Sequence, residues 1–355
     1  FTEPGIYEFT VAETEGDIGG IDYDDTQYVV TVEVSDQNDG TLKAEVTGIV
    51  KADGTAADSL SFTNTYEPGG TVQPGTGDAE AQLTKVLEGR DWLSFIITAD
   101  EDTPAETLPA ETTVTVGKPE SGNSNTFDFG PFTFSAEGEY HYTVREEGAG
   151  TTVNGITYST NEAHITINVT DNLHGGFAAS VTIANATFTN TYSAGLDYGA
   201  EGGLNLVKRL DGHDIAAGQF QFQVTPVSGD GYVSAEDAAK KAGIEESGLT
   251  VSTDAASMVD GVAVDSIALF NQMKFDQTDN GKTYAYQISE VQETKAGYQY
   301  DKTTYTVTIS VSDDNNGVLT VTTVVSNGTD STAYVYTSED GQNTPAQVVF
   351  NNAYD

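Results

Sequence analysis

The feature that most constrains this chain is that it repeats itself at the length of a domain. One block reads Gly5-Ile6-Tyr7-Glu8-Phe9-Thr10-Val11-Ala12-Glu13, then Gly138-Glu139-Tyr140-His141-Tyr142-Thr143-Val144-Arg145-Glu146, then Thr283-Tyr284-Ala285-Tyr286-Gln287-Ile288-Ser289-Glu290. A second follows each time as Gly20-Ile21-Asp22-Tyr23, Gly155-Ile156-Thr157-Tyr158 and Gly297-Tyr298-Gln299-Tyr300. A third closes the unit as Phe62-Thr63-Asn64-Thr65-Tyr66, Phe188-Thr189-Asn190-Thr191-Tyr192 and Phe350-Asn351-Asn352-Ala353-Tyr354. The period far exceeds that of a solenoid, so the copies read as beads on a string.

The second and third copies share an opening block that the first lacks: Leu83-Thr84-Lys85-Val86-Leu87-Glu88-Gly89-Arg90-Asp91 and Leu206-Val207-Lys208-Arg209-Leu210-Asp211-Gly212-His213-Asp214. Gly-rich junctions from Pro68 through Gly77 and from Ser193 to Gly203 have linker character. Three domains are therefore expected, over residues 1–68 (first strand missing), 79–193 and 203–355. The last carries an insertion near 232–274, where Ser234 offers a helix N-cap and Gly243 a stop. The chain reads as an internal fragment of a longer one, and the missing first strand is expected either upstream or donated by another chain.

Val, Thr, Ile, Tyr and Phe are plentiful and helical tracts are scarce, so the fold class is all-β. With 55 acidic against 14 basic residues, the net charge of -41 repels phosphate backbones and anionic lipid. Nucleic acid and membrane contact are not expected of this segment. Cysteine is absent, which removes disulfides, thiolate metal sites and cysteine nucleophiles. The acidic loops Asp36-Gln37-Asn38-Asp39-Gly40 and Asp313-Asp314-Asn315-Asn316-Gly317 suit hairpin turns with positive φ at Asn and Gly. Their spacing does not match an EF-hand, so no metal or other cofactor is expected.

Residues two apart on a strand share a face. By that parity Lys85 lies with Leu83 and Leu87, and Lys208 with Leu204, Leu206 and Leu210. Glu146 joins Tyr140, Tyr142 and Val144, while Glu290 joins Tyr284, Tyr286 and Ile288. Asn190 alternates in phase with Phe188 and Tyr192, and Asn352 with Val348, Phe350 and Tyr354. A lysine, a glutamate and an asparagine thus point into each apolar core, where isolated charges are costly and must meet one another. One reading is a buried Lys–Glu ion pair with the Asn satisfying spare lone pairs.

The other reading is chemical. Desolvation lowers a lysine pKa and raises that of a glutamate, so the pair can be neutral and the amine nucleophilic. Aimed at the Asn side-chain carbonyl, the amine forms an amide and expels ammonia, with the Glu as the proton relay. Fixed proximity supplies most of the drive, and each site turns over once.

The Leu-x-Lys-x-Leu-x-Gly opening, the aromatic strand ending in Val-x-Glu or Ile-x-Glu, and the closing Phe-x-Asn-x-Tyr resemble the pilin isopeptide-linkage domains of Gram-positive bacteria. The resemblance implies tandem immunoglobulin-like β-sandwiches with Lys on the first strand, Asn on the last and Glu between. It implies crosslinks Lys85–Asn190 and Lys208–Asn352, promoted by Glu146 and Glu290. The first copy retains Glu13 and Asn64 but lacks an inward lysine. A structural stalk or pilus shaft segment on the cell wall is expected, with neighbouring domains or subunits as partners. The alternative is an adhesin module for a host glycan or protein receptor; an enzyme is not expected, since His141 and His164 fall on outward positions and no nucleophile motif appears.

Overall fold

A computed structural model describes residues 1–72, 83–86, 93–117, 119–339 and 343–355. Leu87 to Asp91 of the opening block, and the junction from residue 73 through Gly77, lie outside the described residues. The chain divides into two compact units, Phe1–Ala149 with Ser159–Thr189, and Gly150–Tyr158 with Asn190–Asp355.

In the second unit two sheets form a sandwich. One is five-stranded, in the order Met258–Val259, Val262–Leu269, Leu204–Asp211, Ala346–Tyr354, Tyr298–Gln299. The other is six-stranded, in the order Leu249–Ser252, Gln221–Val227, Thr283–Glu290, Thr304–Asp313, Leu319–Ser326, Ser331–Thr337. Alternating residues from both meet in one core: Leu206, Val348 and Phe350 from the first face Phe222, Ile288 and Val307 from the second. The Phe222 and Phe350 rings lie 5.0 Å apart across that interface. Alternation writes each strand's buried face, as period-2 geometry demands.

The strand Leu204–Asp211 runs parallel to Ala346–Tyr354, with Lys208 opposite Phe350 and Leu210 opposite Asn352. The first and last long strands of this repeat are thus neighbours, which a hairpin cannot achieve and which sets the site described below. A single α-helix among the described residues, Ala235–Ala242, starts where the Ser234 side chain accepts the Asp237 N–H and ends at Gly243 with φ +69°. The Tyr286 hydroxyl donates to the Ala238 carbonyl and ties the helix to the six-stranded sheet.

The first unit holds a five-stranded sheet in the order Phe177–Ala184, Glu162–Asp171, Gly138–Glu146, Leu93–Ala99, Thr113–Val116. Facing it is a three-stranded sheet in which Leu83–Val86 lies between Ser124–Phe127 and the parallel strand Thr187–Thr189. Phe95 of the larger sheet stacks on Phe127 and tilts against Phe188 of the smaller, with centroids 4.3 and 4.9 Å away. The same unit contains an antiparallel sheet of Gly5–Ala12, Gln27–Asp36 and Leu42–Lys51. A two-stranded sheet of Ile21–Asp22 with Thr65–Tyr66 accompanies it, Phe62 packs edge-on against Tyr28 at 5.4 Å, and Ile6 and Phe9 stay 72% and 47% exposed.

The acidic loops are hairpin tips. Asn38 and Gly40 take φ of 60° and 89°, and Asn315 and Gly317 take 65° and 91°. The Asp36 and Asp313 carboxylates accept the N–H groups of Asn38 and Asn315 at 2.8 Å in Asx turns.

Candidate functional site

Lys208, Glu290 and Asn352 all lie inside the sandwich of the second unit, at 0%, 4% and 3% exposure. Lys208 comes from the first strand of the five-stranded sheet and Asn352 from the parallel last strand, offset by two residues on the same face. Glu290 ends the central strand Thr283–Glu290 of the opposite sheet. Its two carboxylate oxygens each lie 2.9 Å from Lys208 Nζ. Asn352 Nδ2 donates to Glu290 Oε1 at 2.8 Å. The carboxylate therefore bridges the amine and the amide nitrogen.

Phe220 and Phe222 wall the ammonium, with ring centroids 4.6 and 5.7 Å from Nζ. Burial among them pushes the Lys208 amine down to about 8, against the pull of Glu290. Burial also raises the Glu290 carboxyl above its ordinary value, against its bonds to Lys208 and Asn352. Both shifts favour the uncharged pair, the state in which the lysine carries a free lone pair and the glutamic acid a proton to give.

One residue at this site escapes the parity argument. The Asp301 N–H donates to Asn352 Oδ1 at 2.7 Å, the oxygen on which negative charge develops when an amine adds to the amide carbon. Asp301 is itself fixed, because its carboxylate accepts the Asn351 and Thr303 N–H groups at 2.8 and 2.9 Å. The first repeat has the same clamp: the Asp24 N–H donates to Asn64 Oδ1 at 2.9 Å, and its carboxylate accepts the Thr63 and Thr26 N–H groups at 2.7 and 2.9 Å. The signal lay in the sequence as Tyr23-Asp24-x-Thr26 and Tyr300-Asp301-x-Thr303. The second repeat departs from it with Tyr158-Ser159-x-Asn161, where the Ser159 N–H donates to Glu146 Oε2 at 3.0 Å.

In the first unit Lys85 and Glu146 meet across the two facing sheets, at 4% and 3% exposure, with both carboxylate oxygens 3.1 Å from Nζ. Phe95 lies 5.7 Å from the ammonium, and burial lowers the Lys85 pKa. Phe188 stands opposite Lys85 in parallel register, as Phe350 stands opposite Lys208. Asn190 follows Phe188 by two residues, as Asn352 follows Phe350, and is buried at 6% exposure.

Glu13 and Asn64 are also brought together, Asn64 Nδ2 donating to Glu13 Oε1 at 2.6 Å. Asn64 is exposed, and Glu13 Oε2 is buried without a hydrogen-bond partner among the described residues. Lys43 pairs instead with Glu45 on the surface. His141 is half-buried and His164 exposed; each ring bonds a threonine hydroxyl, Thr166 and Thr143, at 3.3 and 3.2 Å.

The chain aligns with solved Streptococcus pyogenes major pilins: the T-13 protein at 17% identity over 81% of this chain and 99% of that one (TM-score 0.27), and the T3.2 protein at 15% over 81% and 100% (TM-score 0.26). No curated protein matches it. A family model described as the Spy0128-like isopeptide containing domain matches residues 1–67, 81–193 and 204–355, once per sequence repeat. Nearly the whole chain is covered by those three matches, and it belongs to the FctA family of Spy0128-like isopeptide containing domains.

Proposed function

We propose that this chain is a structural segment of a Gram-positive surface pilus or stalk, built of three domains over residues 1–68, 79–193 and 203–355. Two of them lock themselves covalently, through Lys208–Asn352 and Lys85–Asn190. The observation that carries the reading is the convergence of Lys208 and Asn352 on one buried carboxylate, Glu290.

The chemistry balances within the site. Neutral Lys208 Nζ attacks Asn352 Cγ while the Asp301 N–H holds the oxygen that gains charge. Glu290 takes a proton from the attacking nitrogen and gives one to Asn352 Nδ2, already its hydrogen-bond donor. The Cγ–Nδ2 bond breaks, ammonia leaves, and a Cγ–Nζ amide remains with the glutamate's protonation restored. No co-reactant is consumed. Glu146 takes the same role beside Lys85, with Asn190 as the acceptor.

Family membership supports the structural reading, since it describes an isopeptide-containing domain. The proposed partners are other subunits or domains of the same kind, and the proposed location is the cell surface. No helix among the described residues is long and apolar enough to cross a membrane. Peptide mapping of the digested chain tests the assignment directly. A branched peptide joining the Lys208 and Asn352 segments is expected; recovery of both as linear peptides would contradict it.

A further inference from the structure

The Asn352 side chain has two ends, and crosslinking can use it only one way round. Nδ2 must meet Glu290 to receive a proton as it leaves, and Oδ1 must be held elsewhere. Glu290 does not decide this by itself, because a glutamic acid can donate to an amide oxygen as readily as a carboxylate accepts from an amide nitrogen. A backbone N–H can only donate. The Asp301 N–H therefore selects Oδ1, at 2.7 Å, and leaves Nδ2 for Glu290 Oε1, at 2.8 Å.

What aims that N–H is the Asp301 side chain. One carboxylate oxygen accepts the Thr303 N–H at 2.9 Å within its own turn, and the other accepts the Asn351 N–H at 2.8 Å on the last strand. Asp301 thus grips two consecutive residues of that strand, Asn351 by its backbone and Asn352 by its side-chain oxygen. Burial would raise the Asp301 carboxyl, but its bonds to Thr303 and Asn351 outweigh that and hold it below its ordinary value, so both oxygens stay acceptors at neutral pH. Gln292 Nε2 adds a brace. It donates to the Asp301 carbonyl at 2.7 Å and to the Glu290 carbonyl at 3.2 Å, which ties the clamp to the strand end that carries the carboxylate.

The first repeat orients its amide in the same way. Asn64 Nδ2 lies on Glu13 Oε1, Asn64 Oδ1 on the Asp24 N–H, and the Asp24 carboxylate on the N–H groups of Thr26 and Thr63, the residue before Asn64. The second repeat has Ser159 in the aspartate's place, and its hydroxyl accepts the Asn161 N–H at 3.1 Å. A serine therefore keeps the turn, yet it lacks the two-oxygen fork with which a carboxylate spans turn and strand.

We propose that Asp301 is a positioning residue for the Lys208–Asn352 crosslink: its side chain sets which way the Asn352 amide faces, and so governs how fast the amine displaces ammonia. The inference rests on the crosslink proposed above and leaves its bond changes as written: Cγ–Nζ forms, Cγ–Nδ2 breaks, and ammonia leaves.

Asp301→Ser is the test, since Ser159 shows that serine preserves the turn. Chains are made by cell-free synthesis, quenched in denaturant at intervals and digested, and ammonia loss is followed at both sites. In Asp301→Ser the Lys208–Asn352 link is expected to form at least about tenfold more slowly, while Lys85–Asn190 in the same molecules keeps its natural rate. Tyr305→Phe removes a 2.7 Å hydroxyl bond to the Val349 carbonyl of the same last strand and should leave both rates unchanged. In the unlinked Lys208→Met chain, NMR should detect a coupling across the hydrogen bond from the Asp301 amide to Asn352 Cγ, and adding Asp301→Ser should erase it. An unchanged rate in Asp301→Ser, an equal slowing in Tyr305→Phe, or a coupling that survives Asp301→Ser would overturn the proposal while the crosslink stands. A natural chain that never loses ammonia at Asn352 would overturn the crosslink, and this inference with it.

Discussion

Asn352 Nδ2 donates to Glu290 Oε1 at 2.8 Å although the two residues belong to opposite sheets of the sandwich. That bond places the Asn352 amide nitrogen on the group that also faces the Lys208 amine. Glu290→Gln keeps the shape and removes the carboxylate. It should leave Lys208 and Asn352 unlinked, and a buried cation without its counterion should lower stability by about 3–5 kcal/mol in denaturant unfolding, beyond the loss of the bond. A Glu290→Gln chain that still loses ammonia at this site would remove the glutamate from the chemistry.

On the proposed crosslink, Asn352→Ala removes the bond and keeps both members of the Lys208–Glu290 pair. The bond closes a loop on the order of a hundred residues or more, for which chain entropy gives about 4–5 kcal/mol. Chemical unfolding should show that loss in Asn352→Ala, while Asn351→Ala, on the exposed side of the same strand, should change stability by less than about 0.5 kcal/mol. Equal losses would assign the effect to the strand and not to the crosslink.

Without the bond, the buried lysine should reveal itself in pH dependence. The folded Lys208 titrates at about 8 against an ordinary 10.5, so between those values the unfolded chain holds a proton that the folded one has released. Unfolding free energy therefore rises with pH through that window, and the cost of burying the charge is present in full below it. Glu290 runs the other way: its raised pKa contributes stability below its ordinary 4.5 and loses it as pH rises through the folded value. The difference between Asn352→Ala and the double variant Lys208→Met with Asn352→Ala should change by about 3 kcal/mol from pH 8 to 10.5. A flat difference would mean that the amine is not desolvated.

Force should follow the covalent route. Lys208 and Asn352 sit on neighbouring parallel strands at the start and end of their repeat, so with the proposed amide in place tension entering at one passes to the other. Single-molecule pulling should find that this domain does not extend in the natural chain and does extend in Lys208→Met. Equal extensions in both would contradict a load-bearing bond.

Much of the site was legible because strand parity is strict. Lys208, Glu290 and Asn352 each alternate in phase with large apolar neighbours, and the same phase puts them in the core. The adjacent pair Asn351 and Asn352 separates by parity alone, one exposed and one buried. What parity misses is the loop: Asp301 meets Asn352 through its backbone N–H, and a main-chain donor has no residue type to betray it. Val207 and Ala285 break the alternation, each buried on the nominal outer face. Tyr66 and Tyr192 were visible as the last letter of a repeated block, yet the partners of their hydroxyls, Asp171 and Asp313, follow only from three-dimensional packing within each unit.

The central claim is a covalent bond between Lys208 and Asn352, with a second between Lys85 and Asn190, and the intact mass of the purified chain tests it most directly. The account predicts a mass two ammonia molecules below that of the sequence, with one restored in Lys208→Met and the other in Lys85→Met after allowance for each substitution. A natural chain at its full sequence mass would contradict it, leaving two buried ion pairs and no crosslink.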